Sequence, residues 1–181
     1  VDSVGVYTYN LGEESHKKIM DFVDSDMVSN SCYSIAQISE ESFFAWTYDE
    51  ESDSSLYGIF SKVDPSTIKD KEVLTLGIMW MDFDVRKRVV EFNKASDTYR
   101  IHIEEYSQYN TAEDYTLGLS RLNTDIASGN APDIMCVTGE MPVESYMSKG
   151  LFVDLKTFME KDPELKIEDY MPEVIDAFSQ D

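Results

Sequence analysis

Few side chains in this 181-residue sequence have the type and spacing that covalent chemistry needs. The two histidines, His16 and His102, stand far apart, so neither a zinc site nor a serine–histidine pair has support. The two cysteines, Cys32 and Cys136, are not at metal-ligand spacing. Cys136 falls inside an apolar run, which favours two free core thiols over a disulfide. No G-x-G-x-x-G, G-x-x-x-x-G-K-[ST] or G-x-S-x-G occurs, and dinucleotide, P-loop and hydrolase chemistry lose their local signatures. Acidic residues number 36, yet no pair stands out for glycoside hydrolysis. The run DEESD (49–53) lacks the glycine turn and ligand spacing of a calcium loop, so a solvated turn is favoured over a cation site. These chemistries can be set aside on the sequence, and no catalytic residue, metal or cofactor is singled out.

The stretch DIASGNAPDIMCVTG (125–139) supplies a place for recognition. Tyr115, Leu119, Leu122 and Ile126 are spaced as one apolar helix face; Gly129 suits the residue just past the helix end, and Pro132 prevents continuation. DIMCV (133–137) is too short for a buried helix and reads as a strand shielded on both faces, as in a parallel sheet. Pro142 and Gly150 then bracket a further short helix. In open α/β sheets ligands lie beyond the carboxyl ends of strands, which puts residues 138–141 at a candidate site.

These residues are positioned by a chain whose pattern changes near residue 70. Before it, VGVYTYNL (4–11), KKIMDFV (17–23), YSIAQIS (33–39), SFFAWTY (42–48) and SLYGIFSKV (55–63) predict an antiparallel meander, like a propeller blade or part of a sandwich. Asp64-Pro65-Ser66 breaks that run. Afterwards strand and helix alternate. VLTLGIMW (73–80) predicts a strand. Val85, Val89 and Phe92 predict one face of a helix capped by Asp82 or Asp84, and YRIHIEEYS (99–107) a second strand. LFVDL (151–155) reads as extended, and two short helices follow, the second opening near Pro172. The expected division is 1–70, an antiparallel β meander, and 71–181, a parallel α/β layer with right-handed crossovers, α+β overall.

A hydrophobic content of 42% with 12% aromatics can build a real core. The net charge of −21 opposes phosphate backbones and anionic membranes, so no nucleic-acid partner is expected; the acid is better explained by solubility than by cation binding. No apolar run approaches the roughly 20 residues of a membrane helix. The chain opens at Val1 rather than Met, and a processed or cut product is expected.

Three segments, FNKA (92–95), GLSRLNTDIASGNAPDIM (118–135) and VESYMSKGLFVDL (143–155), resemble the extracellular solute-binding proteins of ABC importers, in the branch that binds sugars. The likeness runs from about Val73 to the end, and the preceding meander is similar to propeller-like repeats that precede this domain in some members. The resemblance implies a partial periplasmic-binding-protein lobe with a mainly parallel sheet, one of two lobes that hold a carbohydrate between them without covalent chemistry. It also implies an extracellular lipoprotein that delivers an oligosaccharide to a membrane permease; the rival is a cell-surface sensor or adhesion module without transport.

The implied ligand-binding residues are Trp80, Asp82, Tyr109, Thr138, Gly139 and Glu140. Glu140 stands where relatives place an acid that accepts hydrogen bonds from sugar hydroxyls, but the aromatic expected near Val137 is absent, and Trp80 is the substitute. Each has a plainer alternative. Trp80 could belong to the core, Glu140 could stabilise the helix opening at Pro142, and Thr138 could cap it. One lobe alone is expected to bind sugar weakly, and the unpaired strand edges of the meander predict self-association.

Overall fold

The computed structural model describes residues 4–13, 15–28, 32–49, 54–64, 66, 69–177 and 179, without the side chains of Cys32, Thr47, Asp49 and Leu56. The DEESD run, the Cys32 side chain and Pro65 therefore lie outside what is described. The chain forms two compact units, Val1–Thr138 and Gly139–Asp181.

All five strands expected before residue 70 are present and antiparallel, but in two sheets rather than one meander. Strands β1 (Gly5–Tyr9) and β2 (His16–Asp21) make a hairpin, and β3 (Cys32–Ser39), β4 (Ser42–Asp49) and β5 (Ser54–Ser61) make a three-stranded sheet in that order. The break follows β2, where the chain winds into a tight turn. The Ser25 N–H bonds the Asp21 carbonyl, that of Asp26 bonds Val23, and that of Met27 bonds Phe22 at 2.7 Å, with Asp26 at φ +57°. Alternation along β4 and β5 sends Phe43, Ala45 and Phe60 to one face. There Phe43 and Phe60 join Ile35 against a core of Val6, Phe22 and Met27.

After residue 70 a three-stranded sheet forms in the order β7–β6–β8 from β6 (Glu72–Ile78), β7 (Tyr99–Glu105) and β8 (Ile134–Met135). Both pairings are parallel, as expected of residues 73–80 with 133–137. Helix α1 (Phe83–Ala95) connects β6 to β7, and α2 (Leu117–Ala127) leads toward β8. Leu76, Val89 and Val90 pack with Val23, flanked by Val85, Ile101, Ile103 and Cys136. Neighbouring residues Phe22 and Val23 thus enter two different cores, which ties the antiparallel strands to the parallel sheet within one unit.

The sequence misplaces part of the α1 face. Phe92 is substantially exposed, while Asn93 is fully buried at 0% exposure. The cause is the open edge of β7. The Asn93 side chain accepts a hydrogen bond from the Ile101 N–H at 2.7 Å and donates Nδ2–H to the Ile101 carbonyl at 2.9 Å, as a neighbouring strand would. Lys71 Nζ donates to the Asn93 carbonyl near the helix end at 2.7 Å, where a cation suits the helix dipole. Strand β8 is likewise shorter and less shielded than the sequence suggests, because it is an edge: Ile134 and Val137 are exposed. Tyr115 precedes α2 and is exposed, whereas Leu122 is fully buried; the predicted strand end at 106–107 is a 3-10 turn, Tyr106–Tyr109.

The second unit holds α3 (Val143–Ser148), α4 (Lys156–Met159), a 3-10 turn (Ile167–Asp169) and α5 (Pro172–Ala177). LFVDL contains no strand. Gly150 ends α3 at φ +67°, with its N–H to the Met147 carbonyl and that of Leu151 to Tyr146, and Phe152 meets the Tyr146 ring edge-on.

Two stability outcomes follow from these contacts. Replacing Asn93 by Leu keeps the burial but strands both polar groups of Ile101, and should lower the unfolding free energy by roughly 2–4 kcal/mol in urea titration. A loss under about 0.5 kcal/mol would mean that the edge pairs otherwise. The second concerns the turn after β2, which docks on β7 through Arg100 and His102. Arg100 Nη2 donates to the Val23 carbonyl at 2.9 Å and to that of Asp24, and lies 3.0 Å from Asp26 Oδ1; His102 Nδ1 lies 3.4 Å from Asp24 Oδ1.

The hydrogen bond to Asp24 raises the His102 pKa, helped by Asp21 and Glu104 and opposed by burial. The same bond lowers the Asp24 pKa, with Arg100 and Lys18 contributing and burial opposing. His102 therefore contributes stability fully below about pH 6.5 and loses it as pH rises through its folded value. Asp24 contributes above about pH 3.8 and loses its share as pH falls through its own folded value. Both side chains are half-exposed, so the gain is under about 1 kcal/mol. His102→Gln should cost most near pH 5–6 and least at pH 8, read from urea midpoints across pH; a flat difference would refute the ion pair.

Candidate functional site

The site develops where β6 ends. Because β7 lies on one side of β6 and β8 on the other, the strand order reverses at β6, and in open α/β sheets ligands bind beyond the carboxyl ends of the strands at such a point. Residues 79–82 follow β6 there and Cys136–Thr138 follow β8. The two strands are held close. The Cys136 N–H bonds the Gly77 carbonyl at 2.9 Å, and burial, then the Asp82 carboxylate, push the Cys136 thiol pKa up. Gly77 is required here, since a Cβ on it would stand 2.6 Å from Pro132 Cγ. On the β8 side, Asp133 Oδ2 accepts from the Thr75 N–H at 2.8 Å and so extends the ladder by one side chain.

The loop after β6 is tied to the loop after β7. The Ser107 N–H donates to the Met79 carbonyl at 2.9 Å, and Glu105 Oε1 accepts from the Met81 N–H at 3.2 Å and from the Ser107 hydroxyl. Met79 is fully buried, while the next residue, Trp80, is 47% exposed, so Trp80 lies outside the core. A rigid loop thus carries a half-exposed indole at the strand end, the kind of surface on which an apolar ligand face stacks.

Asp82 caps α1: its Oδ1 accepts from the N–H groups of Asp84 at 2.9 Å and Val85 at 3.1 Å. Of the two caps the sequence offered, Asp82 is the one used. Thr138 Oγ1 is shielded from solvent and has no hydrogen-bond partner among the described residues. It does not cap α3, which opens after Pro142 without a side-chain cap. Trp80, Asp82 and Thr138 therefore belong to the segments that follow the carboxyl ends of β6 and β8 in the first unit. Gly139 and Glu140 belong to the second unit, where both are exposed in the turn before α3.

Tyr109 lies on the β7 side of the same edge and is engaged by its neighbours. Its hydroxyl donates to Glu104 Oε1 at 2.8 Å, and the Arg121 guanidinium sits 5.2 Å from its ring centre. Arg121 Nε donates to both oxygens of Asp125, which also accepts from the Tyr106 hydroxyl at 3.2 Å. Burial first, then Asp125, pushes the Tyr106 phenol far up, so it stays a donor. This network, which the sequence did not single out, braces α2 against the 3-10 turn. Its only signal was the Arg121–Asp125 spacing of four on a helix.

A small cleft that reaches the same loop only at Met81, lined by Val4, Asp21, Val23, Met81, Arg86, His102 and Ile103, has room for about one water and none for a pyranose. Among the described residues no three histidine, cysteine or acidic side chains converge as metal ligands, and no helix is long and apolar enough to cross a membrane.

The cap can be separated experimentally from any ligand role. Asp82→Ala should cost about 1 kcal/mol of stability in urea titration, and Asp82→Ser should restore it to within a few tenths. Equal losses in both variants would show that the carboxylate matters for something other than the cap. Comparison with protein-family models, curated proteins and solved structures found no match for this chain.

Proposed function

We propose that the chain is part of an extracellular carbohydrate receptor of the ABC-importer type, binding an oligosaccharide without turnover and handing it to a membrane permease. The observation that carries the proposal is the half-exposed Trp80 on a braced loop at the point where the strand order reverses. An indole there offers a flat apolar surface to the C–H face of a pyranose. In this reading the antiparallel sheets are the end of a propeller-like domain, and the parallel sheet belongs to one lobe. The exposed Val153, Leu155, Phe158 and Met171 of the second unit are surfaces that the rest of the receptor covers.

Calorimetric titration of the chain with a panel of neutral oligosaccharides tests the proposal. One lobe covers one face of a sugar, so binding in the millimolar range is expected. Trp80→Ala should weaken it by roughly 1–3 kcal/mol while leaving the urea midpoint close to that of the parent. Binding that ignores Trp80, or turnover of any sugar, would overturn it.

A further inference from the structure

The sheet β3–β4–β5 has a second face. With Phe43, Ala45 and Phe60 turned to the core, the register places Phe44 and Trp46 of β4 opposite Ile59 and Tyr57 of β5 on the other side. Tyr33 of β3 completes the group, its ring 5.5 Å from Trp46, and Trp46 and Tyr57 are near-parallel at 13° with centres 6.1 Å apart. This face is open: Tyr33 is 61% exposed, Phe44 37%, Trp46 38%, Tyr57 67% and Ile59 67%. It is also uncharged. In a chain of net charge −21 the three strands contain one residue of the Asp, Glu, Lys or Arg type, Asp49 at the end of β4, and the residues described on this face carry no charge.

We infer that this face is the contact between two copies of the chain, packed sheet on sheet about a twofold axis. Charge argues for that occupant. Over most of so acidic a chain two copies would appose carboxylates, and the residues described on this face have none to appose. Area argues for it too. At about 200 Å² per large side chain the five residues leave roughly 550 Å² open, so two copies would cover about 1,100 Å². That just passes the roughly 1,000 Å² of a specific interface. A twofold contact is self-complementary, and aromatic rings such as these are the usual anchors of an interface. A sugar is the weaker fit. Apart from the phenol groups, the face offers serine hydroxyls such as Ser34 and Ser55, and no amide or carboxylate to hold a ring of hydroxyls.

Sedimentation velocity of the 181-residue chain over the micromolar range tests the inference. A monomer–dimer equilibrium is expected, at least tenfold tighter in high salt than in low, because salt screens the repulsion between two acidic copies. Ile59→Glu should abolish the dimer. Tyr57→Thr, which keeps a strand-favouring residue, should weaken it at least tenfold, and circular dichroism should match the parent for both. In a Trp80→Phe background Trp46 is the one remaining tryptophan, and its emission should shift to the blue as the dimer forms. A chain that stays monomeric at all concentrations and salt levels overturns the inference. So does a dimer that survives both face substitutions, which would place the contact at the strand edges, or Trp46 emission that responds to a neutral oligosaccharide in a monomer.

Discussion

Among the described residues the parallel sheet is three strands wide, so β7 and β8 are its edges, and unpaired backbone is the constraint around which the rest is arranged. Asn93 answers it on the β7 side by presenting an amide that bonds both polar groups of Ile101. Asp133 answers a related need on the central strand, where β8 is too short to reach, by taking the Thr75 N–H. Each side chain stands where a neighbouring strand would otherwise bond. Because Asn93 belongs to α1, its two bonds also fix the rotation of that helix, and with it the residues that reach the core: Val89 and Val90 rather than Phe92.

The same economy makes the carboxyl edge firm. A loop that follows a strand is free to wander unless its backbone is held, and here Met79 and Met81 are held by Ser107 and Glu105 of the neighbouring connection. Asp82 then starts α1 within two residues of Trp80. The indole is thereby set between a buried methionine and a capped helix, which limits the entropy a ligand would have to remove on stacking against it. Function under the receptor reading comes from that pre-organisation rather than from any reactive group.

The antiparallel strands contribute a different surface. The turn after β2 divides Phe22 and Val23 between two cores, so one face of β3–β5 is committed to the interior while the other is left apolar and open. An acidic chain would ordinarily solvate such a face with carboxylates. That it carries rings instead is a feature of residue choice, since Phe44, Trp46 and Tyr57 occupy positions where the pleat would have accepted polar side chains equally well.

Local chemistry was legible in the sequence wherever the signal lies within a few residues. Gly129, at φ +82°, ends α2 with its N–H on the Ile126 carbonyl and that of Asn130 on Asp125; Gly150 ends α3 in the same way, because glycine adopts that backbone conformation without a Cβ penalty. Asp82 as a cap and the change of period near residue 70 are equally local in origin, and the alternation of strand and helix after that change is what made the parallel partnering of β6 legible. The division into two antiparallel sheets, the burial of Asn93 in place of Phe92, the Glu104–Tyr109–Arg121–Asp125 network and the open face of β3–β5 were not legible. Each depends on partners up to tens of residues away, and periodicity records which side chains are apolar but not which backbone groups lack a neighbour. For the site, the sequence determined the residue types at the strand ends, Trp80, Asp82 and Thr138. Only the tertiary structure decided that the indole stands half exposed and that Tyr109 is held by Glu104 and Arg121, because exposure and pairing are properties of the packed chain.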